Sequence, residues 1–295
     1  MRIADALKMG GLARTDCEVL LSALLQRDRA WIFAHPENVI DPQVVKKFEE
    51  WSDRRLLGEP IAYIVGEKEF YGRSFFVDRS VLIPRPATEG LVELALRFLE
   101  TGQGEIVGLD SEIVGVARKI EHREQFKKAS GNCPQAPFDS AQGDMPAPQG
   151  KKSFPGIQTI IDIGTGSGCI AVTLALERPD LQIIATDVSG DALKIARKNA
   201  QRHGVSDRIE FRHGKNLEPI LELDQPFIIV SNPPYIPEGT TLPKDVTEYE
   251  PHEALFAGPN GTDVLKTLFM EAENHRQCRG IAVECQKDQI PSLSA

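Results

Sequence analysis

With 295 residues, 41% of them hydrophobic and 26% charged, the chain reads as an ordinary soluble globular protein of one large domain or two smaller ones. Its net charge of −9 argues against broad nucleic-acid contact, which needs a basic face. Five cysteines without a C-x-x-C pair and six histidines without H-E-x-x-H exclude the common disulfide, structural-zinc and metalloprotease patterns; a reduced cytoplasmic setting is expected, with no metal, no signal peptide and no membrane span.

Residues 1–60 carry helical spacing. Between Cys17 and Leu25 apolar residues recur three and four apart, one face of a helix. Asp41 followed by Pro42 is an N-cap with a first-turn proline, Val44, Val45, Phe48 and Trp51 continue the apolar stripe, and Gly58 with Pro60 stops it. The expectation is a helical bundle, either a packed module or a recognition domain for a macromolecule. Residues 61–85 read as a hairpin linker, with strands at Ile61–Val65 and Phe75–Val77 around a turn between Glu67 and Gly72. Ile83-Pro84-Arg85-Pro86 fixes an extended segment presenting Arg85. From Pro86 a helix runs to about Leu99, opening a domain assigned to 86–295.

Between 101 and 155 the pattern dissolves. Ser111 to Lys128 reads as one charged amphipathic helix. Ala129 to Gly156 is dense in Pro, Gly, Gln and Ser and holds too little apolar area to offset its ordering entropy. The whole of 101–155 is therefore expected to be a disordered insertion.

Thr159–Ile163 is a strand, Gly164-Thr165-Gly166-Ser167-Gly168 a tight glycine turn, and Ile170, Ala171, Leu174 and Ala175 the start of a helix. The next strand, Ile183–Asp187, ends in an acid about 20 residues after the turn, where ribose hydroxyls are held in βαβ nucleotide sites. The glycine spacing differs from the dinucleotide fingerprint, and Asp162 just before the turn would repel a pyrophosphate. S-adenosylmethionine, which carries an ammonium and a sulfonium and no phosphate, is favoured over NAD. Strands follow at Arg208–Phe211, Phe227–Val230 and Ile281–Glu284, and strand–helix alternation makes a doubly wound sheet.

The Phe227–Val230 strand runs into Asn232-Pro233-Pro234-Tyr235. The Asn232 carbonyl and the Pro233 backbone carbonyl are two acceptors suited to both hydrogens of a planar NH2, with Tyr235 against the flat group. That would favour a pyramidal, nucleophilic nitrogen in the transition state. The same residues also suit a plain strand stop and proline loop, and alone they leave both readings open.

Taken together, these stretches resemble the protein-(glutamine-N5) methyltransferases, most closely the peptide chain release factor glutamine methyltransferase (PrmC/HemK) family. The resemblance rests on Trp31-Ile32-Phe33-Ala34-His35-Pro36-Glu37, Gly58 to Ile64, Glu69-Phe70-Tyr71-Gly72, Leu82 to Pro86, Asp162 to Gly168, Asn232 to Tyr235 and Tyr249-Glu250-Pro251. It implies a class I S-adenosylmethionine-dependent methyltransferase, Rossmann-like, behind a helical domain that binds class I peptide chain release factors. It also implies methyl transfer to the glutamine of their Gly-Gly-Gln motif. By position, Gly164, Thr165, Gly166, Ser167 and Gly168 would line the methionine end of the cofactor, Asp187 its ribose and Asn216 its adenine, with Asn232 also against the cofactor. Asn232, Pro233, Pro234 and Tyr235 would hold the glutamine amide, with Asn232, Pro233 and Tyr235 closest to the chemistry and Arg85 on the substrate side.

Ala87 departs from the family's usual acid, and Lys215-Asn216 from an acid followed by a large apolar residue, which implies a looser adenine pocket. The family continues beyond Ile281–Cys285 with closing antiparallel strands. Their absence implies an open sheet edge and a marginally stable or truncated product. Competing readings are a ribosomal-protein glutamine or a nucleic-acid adenine as substrate, or an inactive cofactor-binding remnant.

Overall fold

The computed structural model describes residues 1–8, 11–120 and 156–293. Its N-terminal part holds helices α1 (Ile3–Ala6), α2 (Arg14–Leu25), α3 (Arg29–Ala34), α4 (Pro42–Leu56) and α5 (Ile61–Val65). The Asp28 and Asp41 side chains cap α3 and α4 by accepting from the Trp31 and Gln43 amides. Ile3, Leu20, Leu21, Ile32, Phe48 and Ile64 close over a common core. Ile61–Val65 is thus a helical turn and not the expected strand. Pro60 accepts the first intrahelical bonds, and Gly66 in the left-handed conformation ends the turn. These two signals outweigh the β-branched content.

The hairpin lies later than expected. Strands β1 (Glu67–Phe70) and β2 (Arg73–Phe76) pair antiparallel around Tyr71-Gly72, both at positive φ, as a tight primed turn requires. Helix α6 (Pro86–Thr101) follows. After it come β3 (Glu105–Gly108), β4 (Ile113–Lys119), β5 (Thr159–Ile163), α7 (Cys169–Glu177), β6 (Gln182–Asp187), α8 (Gly190–Arg202), β7 (Ile209–His213), β8 (Phe227–Ser231), α9 (Lys244–Thr247), α10 (Asp263–Asn274) and β9 (Cys278–Gln286).

Among the described residues the large sheet has seven strands in the order β3-β4-β9-β8-β5-β6-β7. The five strands from β9 to β7 are parallel. Alternate residues feed opposite faces. Ile160, Ile228 and Ala282 join α6 and α7 on one side, while Ile161, Ile229 and Ile281 meet Leu265, Leu268 and Phe269 of α10 on the other. Burial on both faces explains why these strands read as continuous apolar runs.

The expectations for 101–119 are overturned. β4 pairs antiparallel with β9 over seven residues, from Ile113 opposite Gln286 to Lys119 opposite Gly280, and β3 pairs on its outer side. The edge beside β9 is therefore covered by a hairpin drawn from the segment expected to be an insertion. Charge spacing over Ser111–Lys128 suggested a helix. Ile113, Val114 and Val116 prefer the pleated surface, and Asp110 Oδ1 accepts from the Glu112 and Ile113 amides at 2.8 Å to make the turn. Val114 and Val116 are buried in the α10-side core. The rest of the expected helix, and the disorder expected over 129–155, lie outside the described residues.

A buried carboxylate holds the turn after β5. Asp162 Oδ2 accepts from Thr165 Oγ1 at 2.6 Å and from the Ala171 amide, in the first turn of α7, at 3.0 Å. Its Oδ1 has no partner among the described residues. Complete burial pushes the carboxyl up to about 7 against those two bonds.

Two outcomes follow from this architecture. Replacing Val116 with Asp places a charge in the core beneath the sheet edge and should cost more than about 2 kcal/mol in urea unfolding. An unchanged midpoint would mean that β4 is not part of the cooperative sheet. Because the fold raises the Asp162 pKa, the stability it contributes is full below about pH 4 and falls as pH rises through about 7. The isosteric D162N variant lacks this slope, so its melting temperature relative to the parent should climb between pH 4.5 and 8.

Candidate active site

β5 and β8 are adjacent parallel strands, with Asp162 opposite Val230. From β5 the chain moves outward through β6 and β7 and then returns to β8 on the other flank. The loops beyond β5 and β8 therefore part at a topological switch point, where open α/β sheets form ligand crevices. Ser231 Oγ donates to the Ile163 carbonyl at 2.7 Å and locks the two strand ends together.

The crevice has a cavity of about 350 Å³. On one side Gly164, Thr165, Gly166 and Ser167 line it. Gly164 and Gly166 have φ of +70° and +53°, and a Cβ on either would meet no atom within 4 Å, so their bare backbone faces open space. Gly168 does not line the cavity, contrary to the expectation. It packs under α8, where a Cβ would come within 3.0 Å of Ala196, so its role is close helix packing.

Asp187, at the end of β6, borders the same cavity. Its Oδ2 accepts from the Gly166 amide at 2.9 Å and its Oδ1 from the Ser189 amide at 2.8 Å. Burial raises its pKa against these two bonds. Each oxygen keeps lone-pair capacity for a hydroxyl donor. Asn216 lines the far end beside Gly214 and Lys215, in a left-handed conformation with φ +48°. The charge expected from Asp162 is not on the cavity wall, because that side chain turns inward to hold Thr165 and α7.

Asn232, Pro233 and Pro234 line the same cavity, with Arg85 and Thr88 at the start of α6. A second cavity of about 300 Å³ lies beyond the proline loop and shares Arg85 and Asn232 to Pro234 with the first. Tyr235 lines only this second space. Its hydroxyl is committed to the protein, donating to Glu284 Oε1 at 3.0 Å. Arg85 pairs with the buried Glu250, whose other oxygen accepts from the Ile83 amide at 3.1 Å. The Tyr235 carbonyl is held from below by Gln289 Nε2 at 2.7 Å.

Two residues here, Thr88 and Glu284, were not singled out from sequence, and Glu250 was named only within the Tyr249-Glu250-Pro251 stretch, without a role. Asn232 Nδ2 donates to Thr88 Oγ1 at 2.9 Å, and Thr88 Oγ1 donates to Glu284 Oε2 at 2.9 Å. Thr88 and Glu284 are 2% and 1% exposed. A signal for Glu284 was available, since an acid closing the apolar run Ile281-Ala282-Val283 demands a buried partner.

Residues 2–66 match the family described as the PrmC N-terminal domain, and residues 152–249 the family described as the methyltransferase small domain. A release factor glutamine methyltransferase of Nitratidesulfovibrio vulgaris is 35% identical over 270 residues, covering 91% of this chain and 73% of that protein. One of Chlorobaculum tepidum is 37% identical over 264 residues, covering 88% and 73%. A third, of Bacillus anthracis, is 31% identical over 291 residues and covers 95% and 84%. The N-terminal match, the methyltransferase match and these relatives cover the helical part and the sheet alike: the chain belongs to the release factor glutamine methyltransferase family.

Proposed function

We propose that the chain transfers a methyl group from S-adenosyl-L-methionine to the side-chain amide nitrogen of the glutamine in the Gly-Gly-Gln motif of class I peptide chain release factors, in the cytoplasm. The observation that carries this reading is that Asn232-Pro233 and the Gly164–Ser167 turn line one and the same cavity.

The residues present fit the cofactor. Open backbone at Gly164 and Gly166 leaves room for a close approach, and the Asp187 carboxylate sits at the end of β6 with acceptor capacity to spare. Asp187 would hold the ribose hydroxyls, the glycine turn the amino-acid end, and Gly214 to Asn216 the adenine side. When bound, S-adenosylmethionine supplies an electrophilic methyl group.

In the same cavity, the Asn232 carbonyl oxygen and the Pro233 carbonyl would accept the two hydrogens of the glutamine carboxamide. A carboxamide nitrogen is a poor nucleophile because its lone pair is delocalised. As that pair is drawn toward the methyl group, the N–H bonds grow more acidic and both accepted bonds strengthen; the methyl donor would leave as a neutral thioether, and one of the two amide hydrogens would pass by way of its acceptor to solvent. The stabilisation therefore favours the transition state over the ground state. The stiff proline pair would keep the acceptors aimed without reorganisation, and the second cavity, which Arg85 and Tyr235 line, would admit the glutamine side chain. The helical N-terminal part would supply recognition of the release factor body.

Incubating the chain with a class I release factor and the cofactor should add the mass of one methyl group to the Gly-Gly-Gln peptide, and a factor lacking that glutamine should stay unmodified. Asn232→Ala should lower turnover at least ~100-fold while calorimetric cofactor affinity stays nearly unchanged. Asp187→Ala should do the reverse first, weakening cofactor binding roughly 10- to 100-fold. Methylation of duplex DNA or a ribosomal protein in preference to the release factor would defeat the reading.

A further inference from the structure

An asparagine carboxamide is nearly symmetric in shape but opposite in polarity at its two ends. If Asn232 is to accept hydrogens from a substrate NH2, its oxygen must face the cavity. With the amide turned over, two N–H donors would meet two N–H donors and the site would repel its substrate. Nothing in the side chain itself selects the working orientation.

The surroundings do. The Glu284 carboxylate is an acceptor, and its two oxygens receive the hydroxyls of Tyr235 at 3.0 Å and Thr88 at 2.9 Å. A hydroxyl carries one hydrogen. Once Thr88 gives that hydrogen to Glu284, its oxygen offers only lone pairs toward Asn232, and the atom it meets, at 2.9 Å, is the Nδ2 donor. These two bonds run in one direction, from Asn232 through Thr88 to Glu284. Asn232 is also close enough to help hold the Glu284 charge, which burial opposes, so its oxygen turned that way would face a carboxylate. Thr88 and Glu284 are almost wholly buried, leaving little room for solvent to substitute for either.

We propose that Thr88, fixed by Glu284, is a positioning residue that locks the Asn232 carboxamide with its carbonyl oxygen toward the cavity. This rests on the role given to Asn232 above. Thr88 enters α6 three residues after Arg85, and Glu284 comes from β9, so the lock gathers the start of a helix and two strand ends around one amide. Tyr235 completes the arrangement by occupying the second carboxylate oxygen, which leaves Glu284 Oε2 for Thr88.

The test uses the full chain with a class I release factor as substrate, and compares Thr88→Val with Thr88→Ser. Valine keeps the shape and removes the relay, whereas serine keeps the hydroxyl. T88V should lose about 100-fold or more in kcat with cofactor affinity close to the parent and a melting temperature lowered by the lost donor to Glu284, and T88S should restore most of the rate and of the stability. A second readout needs no turnover. With 15N-asparagine labelling, the Asn232 side-chain amide protons should exchange slowly with solvent in the parent and T88S, and at least ~10-fold faster in T88V, the loss of one buried bond. T88V turnover within twofold of the parent, T88S as impaired as T88V, or equal exchange in all three would overturn the lock. If the parent itself leaves release factors unmethylated, the substrate assignment fails while the exchange experiment still decides the orientation.

Discussion

Two parallel strands that end side by side, while their chains leave in opposite directions, set the terms for everything else in this molecule. β5 and β8 are neighbours in the sheet, and the Ser231 hydroxyl bonds the Ile163 carbonyl across the step between them. Because one loop turns toward β6 and the other away from it, the sheet opens at this one place without losing a ladder bond. A bare glycine backbone and an amide framed by prolines then line the same cavity. On the function proposed above, a methyl donor and an acceptor nitrogen would need such a relation for in-line transfer, and the sheet would set it before either arrives.

Three buried or nearly buried carboxylates keep that opening rigid, each in a different way. Asp162 ties Thr165 to the first turn of α7, Glu250 ties Arg85 to the Ile83 backbone, and Glu284 gathers Thr88 and Tyr235. Burying a carboxylate costs several kcal/mol unless donors surround it, so each must hold its donors in place for the fold to tolerate it. The same constraint that makes these acids costly makes their partners immobile. If the site works as proposed, by aiming fixed acceptors, immobility is the useful property.

The parallel strands and the two loops at their ends were legible because each reading depended on a local signal. Apolar runs marked the strands, and the glycine cluster and proline pair marked the loops. What stayed hidden depended on pairing at a distance. Thr88 and Glu284 are 196 residues apart and acquire meaning only through their hydrogen bond to each other. The β3–β4 hairpin was missed for a related reason. Its Ile-Val-Gly segments are short, and only the exposed flank of β9 makes them worth ordering as strands. Asp162 was misread in the opposite sense, since a charge next to a glycine turn suggested a ligand where the backbone of α7 had already claimed it. Ile61–Val65 failed because residue type outweighed boundary signals, and for five residues the flanking Pro60 and Gly66 decide.

The helical part does not sit apart from this site. Tyr63 of α5 donates to the Val81 carbonyl, just before the Ile83–Pro86 segment that delivers Arg85 and Thr88. Tyr249 donates to the Leu57 carbonyl at the end of α4, while its neighbour Glu250 holds Arg85. The β1–β2 hairpin reaches the glycine turn through one side chain. Asn199 of α8 accepts from the Phe76 amide and donates to the Phe76 and Ser167 carbonyls. Each wall of the cavity is therefore fastened, within one or two hydrogen bonds, to the helical part or the hairpin that follows it. A displacement of α4 or α5 would reach Arg85 through backbone bonds and a salt bridge, with no flexible linker to absorb it. Contact made on the helical part is in this way placed to bear on the geometry around Asn232.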